Sequence, residues 1–390
     1  MSRATSNSHP KFAVFTRIWA FIYLICAAGI AYLMYYANIL PAKYQYGGYA
    51  AIAVCSLIVL PALFFKRFKM SRKVICLVLS IALIGGYAYA GNYLYSTVKF
   101  FSKITNINTA DSNLAKRVSV TNKPYNIYIS GLDVVGSIDT VSRSDVNMIV
   151  TVNPKTHKIL LTSIPRDYLI QLPSADYAQD KLTHTGVYGI DDTLGAVEKL
   201  TGLEMNYYVK VNYSTVIKLV DAIGGIDVVS EYTFTTSGMG STPGFGSSNG
   251  ITFKKGKNHL NGRRALAFAR ERHAFTEGDV QRNKDQQLVL QAILKKISSN
   301  RTLVMKYSDI LGGIQNYMKT NFTGEEIRDI IKMQVRDMPN WKIARQNMDG
   351  TDSSAFCYST GTDEEVSVIQ PDQTSVDKCV NAIKKIQSGK

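Results

Sequence analysis

Hydrophobic residues fall in three unbroken blocks before any alternating pattern begins. Ile18–Ala37, Tyr49–Phe65 and Val74–Tyr95, about 20, 17 and 22 residues long, contain no Asp, Glu, Lys or Arg, and each approaches the length that crosses a hydrocarbon core. They predict three membrane-spanning helices, residues 18–95. Aromatic residues at their edges (Trp19, Tyr35, Tyr36, Tyr44, Tyr46, Tyr93 and Tyr95) suit interfacial belts, and Gly85-Gly86 suits close helix packing. A cleaved signal peptide would account for the first block alone, but two further spans follow and no small-x-small site ends it.

After Tyr95 the pattern changes. Ser96–Lys123 is polar and weakly periodic, a juxtamembrane linker with room for one short helix. The folded domain is expected from Pro124 onward. Tyr125–Ser130 is a short run of β-branched and aromatic residues, and Asn147–Val152 and Lys158–Ser163, joined by Asn153-Pro154-Lys155-Thr156, carry a hairpin signature. Helical spacing at Ile190–Thr201 and Ser214–Ala222 alternates with strand patterns at Tyr207–Val211 and Ile226–Val229. Such alternation predicts an α/β layered domain, helices covering a mixed sheet. Thr235–Gly250, with five glycines, is expected to be a loop. Helices are further expected over His259–Ala269, Asp279–Ser298, Leu303–Lys319, Thr323–Gln334 (capped by Thr323) and Ser375–Ile386, with strands near Trp341–Ala344 and Ser367–Ile369. The domain core is drawn over residues 124–300 and a C-terminal extension over 301–390.

Charge refines the picture. The net charge is +15, yet residues 1–110 hold eleven Lys/Arg and no acidic residue, leaving 34 basic against 30 acidic in the remainder. Basic residues set between apolar runs face anionic lipid headgroups, whereas a duplex-binding domain gathers them on a folded soluble face. No nucleic-acid partner is expected. Lys66–Lys73 carries five positive charges, against Lys43 alone between the first two spans. The positive-inside rule therefore puts Lys66–Lys73 and the N-terminus, residues 1–17, in the cytoplasm and everything after the third span outside. Of five cysteines, only Cys357 and Cys379 lie outside the spans, where a disulfide between them is permitted but not required.

Common catalytic signatures are absent: no G-x-S-x-G elbow, no Walker-type loop, no H-E-x-x-H, and the five histidines are scattered. A metal here would be a hard cation on oxygen ligands. What stands out is acids and arginines at element boundaries. Asp133 follows the first strand, and Arg143-Ser144-Asp145 opens the next, so the two carboxylates can converge at one sheet edge. Arg166-Asp167 leaves another strand behind Pro165. Arg270-Glu271-Arg272 ends a helix, and Asp279, Arg282 and Gln286 share one face near the N-terminus of the next, where the dipole favours an anion. Singly, each is ordinary solvated surface. Together, five arginines and two aspartates suit a pyrophosphate held by guanidinium forks beside a divalent ion.

Seven ordered motifs then carry a resemblance: Ser130-Gly131-Leu132-Asp133, Arg143-Ser144-Asp145, Ser163-Ile164-Pro165-Arg166-Asp167, Lys181-Leu182-Thr183-His184, His259-Leu260-Asn261-Gly262, Arg270-Glu271-Arg272 and Gly278-Asp279-x-x-Arg282-x-x-x-Gln286. Over about residues 125–300 the chain resembles the LytR-CpsA-Psr family of cell-wall glycopolymer transferases, and its three-span anchor is similar to the capsule-type members. The resemblance implies an extracytoplasmic αβα sandwich around a mixed β-sheet, with an apolar tunnel for a polyprenyl chain and a mouth for its pyrophosphate with Mg²⁺ or Mn²⁺. By matching motifs, Asp133 and Asp145 would carry the metal, while Arg143, Arg166, Arg270, Arg272, Arg282 and Gln286 would hold the phosphates. Lys181 would help at the rim, and Asp279 would be a general base or a positioner of the arginines. The implied reaction moves a lipid-linked glycopolymer, of capsular or teichoic acid type, to peptidoglycan through a phosphodiester.

One departure is visible: some capsule-type relatives have an accessory domain where this chain has only the linker. Two other activities share these features. A pyrophosphatase on the same lipid would use water in place of the wall hydroxyl, and a membrane-bound transcriptional attenuator would need a cytoplasmic DNA-binding segment. Only Met1–Arg17 and Lys66–Lys73 are available for that, too short for a helix-turn-helix. A lipid-binding scaffold is the non-enzymatic alternative.

Overall fold

The computed structural model describes residues 10–105, 116–237, 241–242, 246–247, 249–299, 310–314, 316–360 and 364–389. Two compact units result, residues 1–101 with 331–336, and residues 102–330 with 337–390.

In the first unit the apolar blocks are helices α1 (Pro10–Ala37), α2 (Ala42–Phe64) and α3 (Met70–Thr105), each long and apolar enough to cross a membrane. Small residues at the crossings, Ala20, Ala27 and Ala62, are almost fully enclosed, and the Trp19 indole donates to Ser80 Oγ at 2.8 Å, tying α1 to α3. The third helix outruns its apolar block: Ser96–Thr105, expected in the linker, continues it. Residues 1–9, most of the N-terminal segment, and 106–115 of the linker lie outside the described residues.

The second unit is built on a six-stranded mixed sheet. Its strands are β1 (Tyr125–Leu132), β2 (Ser144–Asn153), β3 (Lys158–Ile164), β4 (Tyr207–Asn212), β5 (Met318–Thr320) and β6 (Lys342–Asn347), in spatial order β5-β4-β1-β2-β3-β6. The β2–β3 hairpin pairs antiparallel from Asn147↔Ile164 to Asn153↔Lys158. Since β4 and β6 run parallel to β1 and β3 respectively, Leu132, Asn212, Ile164 and Asn347 all finish at one end of the sheet, where antiparallel β2 begins. That shared end is where the chain changes direction, the usual position of an α/β site.

Side chains alternate across the sheet as a period of two requires. Tyr128, Ile149, Leu160 and Tyr208 face one core, closed by helices α4 (Ile190–Thr201) and the C-terminal Gln373–Gln387. On the other face Tyr125, Met148, Val150 and Leu161 meet the long helix Asp279–Ile297 and the start of Gly324–Asp337. The result is helix, sheet, helix. Between α4 and that long helix lie α5 (Tyr213–Ala222), N-capped by Asn212 in a reciprocal capping box with Thr215, and α6 (Gly262–Arg270), capped by Asn261. The Asp279–Ile297, Gly324–Asp337 and Gln373–Gln387 helices are α7, α8 and α9.

Several local expectations shift. His259 and Leu260 belong to a strand, Gly256–Leu260, paired with Ile226–Ser230, and the expected helix begins only after Asn261. Residues 310–314 are helical, but Met318–Thr320 is a strand; 301–309 and 315 lie outside the described residues. In the glycine-rich segment, short pairs at Phe234–Thr235 and Thr252–Phe253 close a loop whose residues 238–240, 243–245 and 248 are likewise outside. Thr323 caps α8 as expected, accepting from Glu326 N at 3.1 Å. The segment 301–390 supplies both edge strands, β5 and β6, and the covering helix α9, so it is integral to the sandwich. Cys357 and Cys379 are both buried free thiols.

One buried acid has a measurable consequence. Asp285 on α7 is 2% exposed, its Oδ1 accepts from the Gln281 amide at 3.1 Å, and its Oδ2 has no partner among the described residues. Burial pushes its carboxyl up to about 7; the Gln281 bond works against this and the charge of Glu231 adds to it. The unfolded chain ionises the same group near pH ~4. The stabilisation is therefore complete below that pH, falls as pH rises towards 7, and is gone above it, a span of about 4 kcal/mol at most. Denaturation followed by Trp341 fluorescence in a Trp19→Phe background should show this slope between pH 5 and 8. Asp285→Asn should flatten it.

Candidate active site

At the shared strand end lies a cavity of about 260 Å³. Its lining runs from charged to apolar along two elements at once. On the sheet, Asp133 and Asp145 stand at the end and Ile129, Met148 and Val211 lie deeper. On α7, Arg282, Gln286, Val289, Leu290 and Ile293 follow one another along a single face, charged at the N-terminus and apolar a few turns on. Leu266, Arg270 and Arg272 close the third side.

Elementary packing places the strand ends. Ser130 Oγ meets Ser144 Oγ at 2.8 Å, Ser144 Oγ donates to Asn147 Oδ1 at 2.9 Å, and the buried Tyr128 phenol donates to the same oxygen at 2.5 Å. Burial holds the Tyr128 phenol in its protonated, donating form. Beside this network a Cβ at Gly131 would lie 2.7 Å from Val146 Cβ, so only glycine lets the two strands close. A register shift between Gly131 and Leu132 follows, and Asp133 leaves the ladder with its N–H on Arg143 O at 3.4 Å. The two aspartates thus stand on the central strands β1 and β2, at their ends, and not at a lateral edge of the sheet.

Arg166 is the hub of the charged end. Its Nη1 lies 2.9 Å from Asp145 Oδ1, and its Nε lies 3.2 Å from Asp279 Oδ2 and 3.4 Å from Asp167 Oδ2. Burial acts against its charge, but the carboxylates of Asp145, Asp167 and Asp279 more than offset this and raise its pKa. Asp279 also meets Arg282 Nη2 at 2.9 Å and Arg272 Nη1 at 3.7 Å, so one carboxylate serves three guanidiniums. Arg282 shows the strain of that crowding. Its side chain is 7% exposed, its Nε–H has no acceptor among the described residues, and burial, followed by its arginine neighbours, lowers its pKa.

Of the ten residues expected at the site, seven line the cavity: Asp133, Asp145, Arg166, Arg270, Arg272, Arg282 and Gln286. Asp279 stands behind them as counter-ion. Lys181 is one residue further out, 3.6 Å from Asp167, and Arg143 is exposed beside the mouth; neither lines the cavity. Tyr213 escaped the sequence reading. It begins α5, lines the cavity with Asp133, and lies under the Arg270 guanidinium at 4.3 Å from ring centroid to Cζ. Burial, opposed by Arg270 and assisted by Asp133, keeps the phenol protonated. The available signal was its place directly after a strand, in line with Asp133 and Arg166, but an aromatic at that position reads as core.

Asp133 and Asp145 are hard oxygen donors on one cavity wall, and no group of three or more potential metal-binding side chains exists among the described residues. The pair suits Mg²⁺ or Mn²⁺ shared with phosphate oxygens and water, the manner in which such ions are usually held. An arginine-lined polar end over an apolar cavity has the chemistry to take an amphiphile by a polyanionic head.

Comparison with known proteins agrees. Residues 94–385 match the LytR_cpsA_psr family, and the chain belongs to that family. It is 34% identical over 259 residues, 65% of this chain and 80% of the relative, to a polyisoprenyl-teichoic acid–peptidoglycan teichoic acid transferase, TagU, of Bacillus cereus strain AH820. Among solved structures, TagV of B. subtilis shares 26% identity over 68% of this chain and 98% of that one, with a TM-score of 0.55. Protein gbs0355 of Streptococcus agalactiae, also at 26%, covers 70% of this chain and 91% of its own with a TM-score of 0.58.

The Tyr213 contacts are separable. Tyr213→Phe keeps the ring under Arg270 and should hold inorganic pyrophosphate within about twofold of the parent, whereas Tyr213→Leu removes a cation–π contact worth about 1 kcal/mol and should weaken it about fivefold. Calorimetric titration of both variants checks this.

Proposed function

We propose that the protein is a membrane-anchored phosphotransferase that moves a teichoic-acid-type glycopolymer from a polyprenyl-pyrophosphate carrier to peptidoglycan. The observation that carries the reading is the cavity itself: four arginines and two aspartates, with Asn212, His273 and Gln286, at one end of a pocket that Ile129, Met148, Val289, Leu290 and Ile293 make apolar further in, in a chain similar to named teichoic acid transferases. The prenyl chain would lie along Ile129, Met148 and the Val289–Ile293 face of α7. Its pyrophosphate would then meet Arg166, Arg270, Arg272 and Arg282, with Gln286 as a neutral donor.

A wall sugar hydroxyl attacks the phosphorus next to the glycopolymer. The new P–O bond joins polymer phosphate to the wall, the bond to polyprenyl phosphate breaks, the hydroxyl proton passes to the departing phosphate or to water, and polyprenyl phosphate leaves. Charge accumulates on the bridging and leaving oxygens, and guanidiniums already fixed by carboxylates stabilise it without reorganisation. A divalent cation between Asp133 and Asp145 would add positive charge at the phosphates. Asp279, both of whose oxygens face guanidiniums, acts as a positioner of arginines in preference to a base. Five basic residues in Lys66–Lys73 support a cytoplasmic α2–α3 turn and an extracytoplasmic catalytic unit.

Removing one fixed donor from such a site lowers turnover about 10²- to 10³-fold. Arg166→Ala and Arg282→Ala should each do so when labelled lipid-linked polymer is supplied with peptidoglycan. Unchanged transfer would sink the assignment, and free polymer phosphate in place of wall-linked polymer would make the enzyme a pyrophosphatase. Chelation should abolish transfer and Mg²⁺ or Mn²⁺ should restore it, with Asp133→Asn/Asp145→Asn failing to respond to either ion.

A further inference from the structure

Two tyrosines stand exposed beside the charged end of the cavity on a base that is itself tightly buried. Tyr188 closes the one-turn helix Thr185–Tyr188 and Tyr358 opens the 3-10 turn Tyr358–Thr360; their ring centroids are 6.2 Å apart with planes tilted by 49°. They keep 39% and 55% of their exposure, and Val187 and Phe356 beside them are also open. An aromatic pair from two segments far apart in sequence thus stands outward, with an exposed apolar neighbour in each segment.

The base is a polar network with no other evident task. Asp180, fully buried, accepts from Lys181 N at 2.7 Å, Ser359 N at 3.1 Å and Ser359 Oγ at 2.9 Å, and pairs with His184 Nδ1 at 2.7 Å. Ser359 Oγ lies 2.5 Å from that same Nδ1. In a nucleophilic relay the serine and the carboxylate occupy opposite ring nitrogens. Here they share one, so the cluster is an anchor and not a reaction centre. It pins Ser359 on one side of Tyr358, while buried Cys357 pins the other.

Tyr188 is fixed just as firmly. Thr185 Oγ1 donates to Leu182 O at 2.7 Å, and a Cβ on Gly186 would come within 2.7 Å of Ser142 O and 2.9 Å of Ser144 N. The helix is therefore pressed onto the segment that carries Arg143 and leads into Asp145. From the short strand Ala178–Lys181 that carries Asp180, Lys181 reaches Asp167, which in turn touches Arg166. The aromatic surface is tied to two of the segments that bound the charged end.

We propose that Tyr188 and Tyr358 form an acceptor platform, on which a glycan strand of amino sugars lies while one of its hydroxyls enters the charged end of the cavity. This rests on the transferase reading above. A polymeric acceptor cannot share an apolar cavity with the prenyl chain and must lie outside it, next to the phosphates. Sugar rings present apolar C–H faces that stack on aromatic rings, and hydroxyl rims that phenols bond. Neither segment, 182–192 or 356–365, contains Lys or Arg, and five acidic residues fall within them, so an anionic membrane surface is disfavoured. Four side chains are also far short of the ~800 Å² per partner of a stable protein interface.

The test uses the full chain in detergent with labelled lipid-linked polymer as donor and soluble peptidoglycan glycan strands as acceptor. Tyr188→Ala/Tyr358→Ala should raise the acceptor KM at least tenfold and leave donor affinity, and donor hydrolysis by water, within twofold. Tyr188→Phe/Tyr358→Phe should recover most of the acceptor KM. An unchanged acceptor KM overturns the platform, as does equal loss of donor binding. Loss of vesicle association or of self-association without any change in acceptor KM would overturn it too, assigning the face to lipid or to a second copy. If the parent protein transfers nothing to any acceptor, the transferase reading fails, and direct titration of glycan strands onto parent and double variant still decides the platform.

Discussion

Arginines that gather around a phosphate must first tolerate one another. At 4 Å, two like charges near a protein surface repel by about 4 kcal/mol, and here Arg166, Arg272 and Arg282 converge within a few ångströms. Asp279 makes this possible by meeting all three, and Asp145 and Asp167 complete the screen around Arg166. On the cavity wall four arginines stand with two aspartates, and Asp167 and Asp279 stand just behind them. The arginines are thus fixed by carboxylates before any ligand arrives. The lowered pKa of Arg282 comes first from its burial, and its Nε–H has no acceptor among the described residues.

Positioning those groups depends on the sheet. Because β1, β3, β4 and β6 run the same way, four strand exits converge, and Asp133, Arg166 and Tyr213 each occupy an exit. The hydroxyl and amide network of Ser130, Ser144, Asn147 and Tyr128 fixes the exit of β1 and the entry of β2 from below. A buried network of this kind is stabilising only when every member is satisfied, which explains small polar residues in strands that otherwise carry Val and Ile. Rigid exits matter more here than exits on loops would, since electrostatic stabilisation requires donors that do not reorganise.

Much of this was legible in the sequence, for identifiable reasons. The spans show because a hydrocarbon core imposes both a length and an absence of charge. The site acids and arginines show because they stand where regular patterns stop. Asp279, Arg282 and Gln286 showed their common face, but Val289, Leu290 and Ile293 did not stand out, since a helix reads as apolar towards its core whether that core is packed or hollow. Tyr213 was hidden in the same way: its role comes from Asp133 and Arg270, both distant in sequence. His259 was read into a helix because the strand Gly256–Leu260 has a polar exposed face and pairs with a segment thirty residues earlier. The boundary at residue 300 followed the motifs, whereas the fold follows the sheet, whose edges come from residues 318–320 and 342–347.

The gradient along α7 links the two halves of the proposed substrate. Arg282 and Ile293 are eleven residues apart, about 16 Å of helix, so an amphiphile whose tail lies against Val289–Ile293 has its head at Arg282 and Gln286 by construction. Head and tail are covalently joined, and the depth of the tail therefore sets the register of the phosphates against Arg166 and Asp145. A lipid lacking the pyrophosphate would leave the arginines facing apolar surface, and a soluble sugar pyrophosphate would leave the walls without contact. Selectivity for a lipid-linked donor then follows from a single helix that changes character along its length, with the acceptor left to be recognised outside.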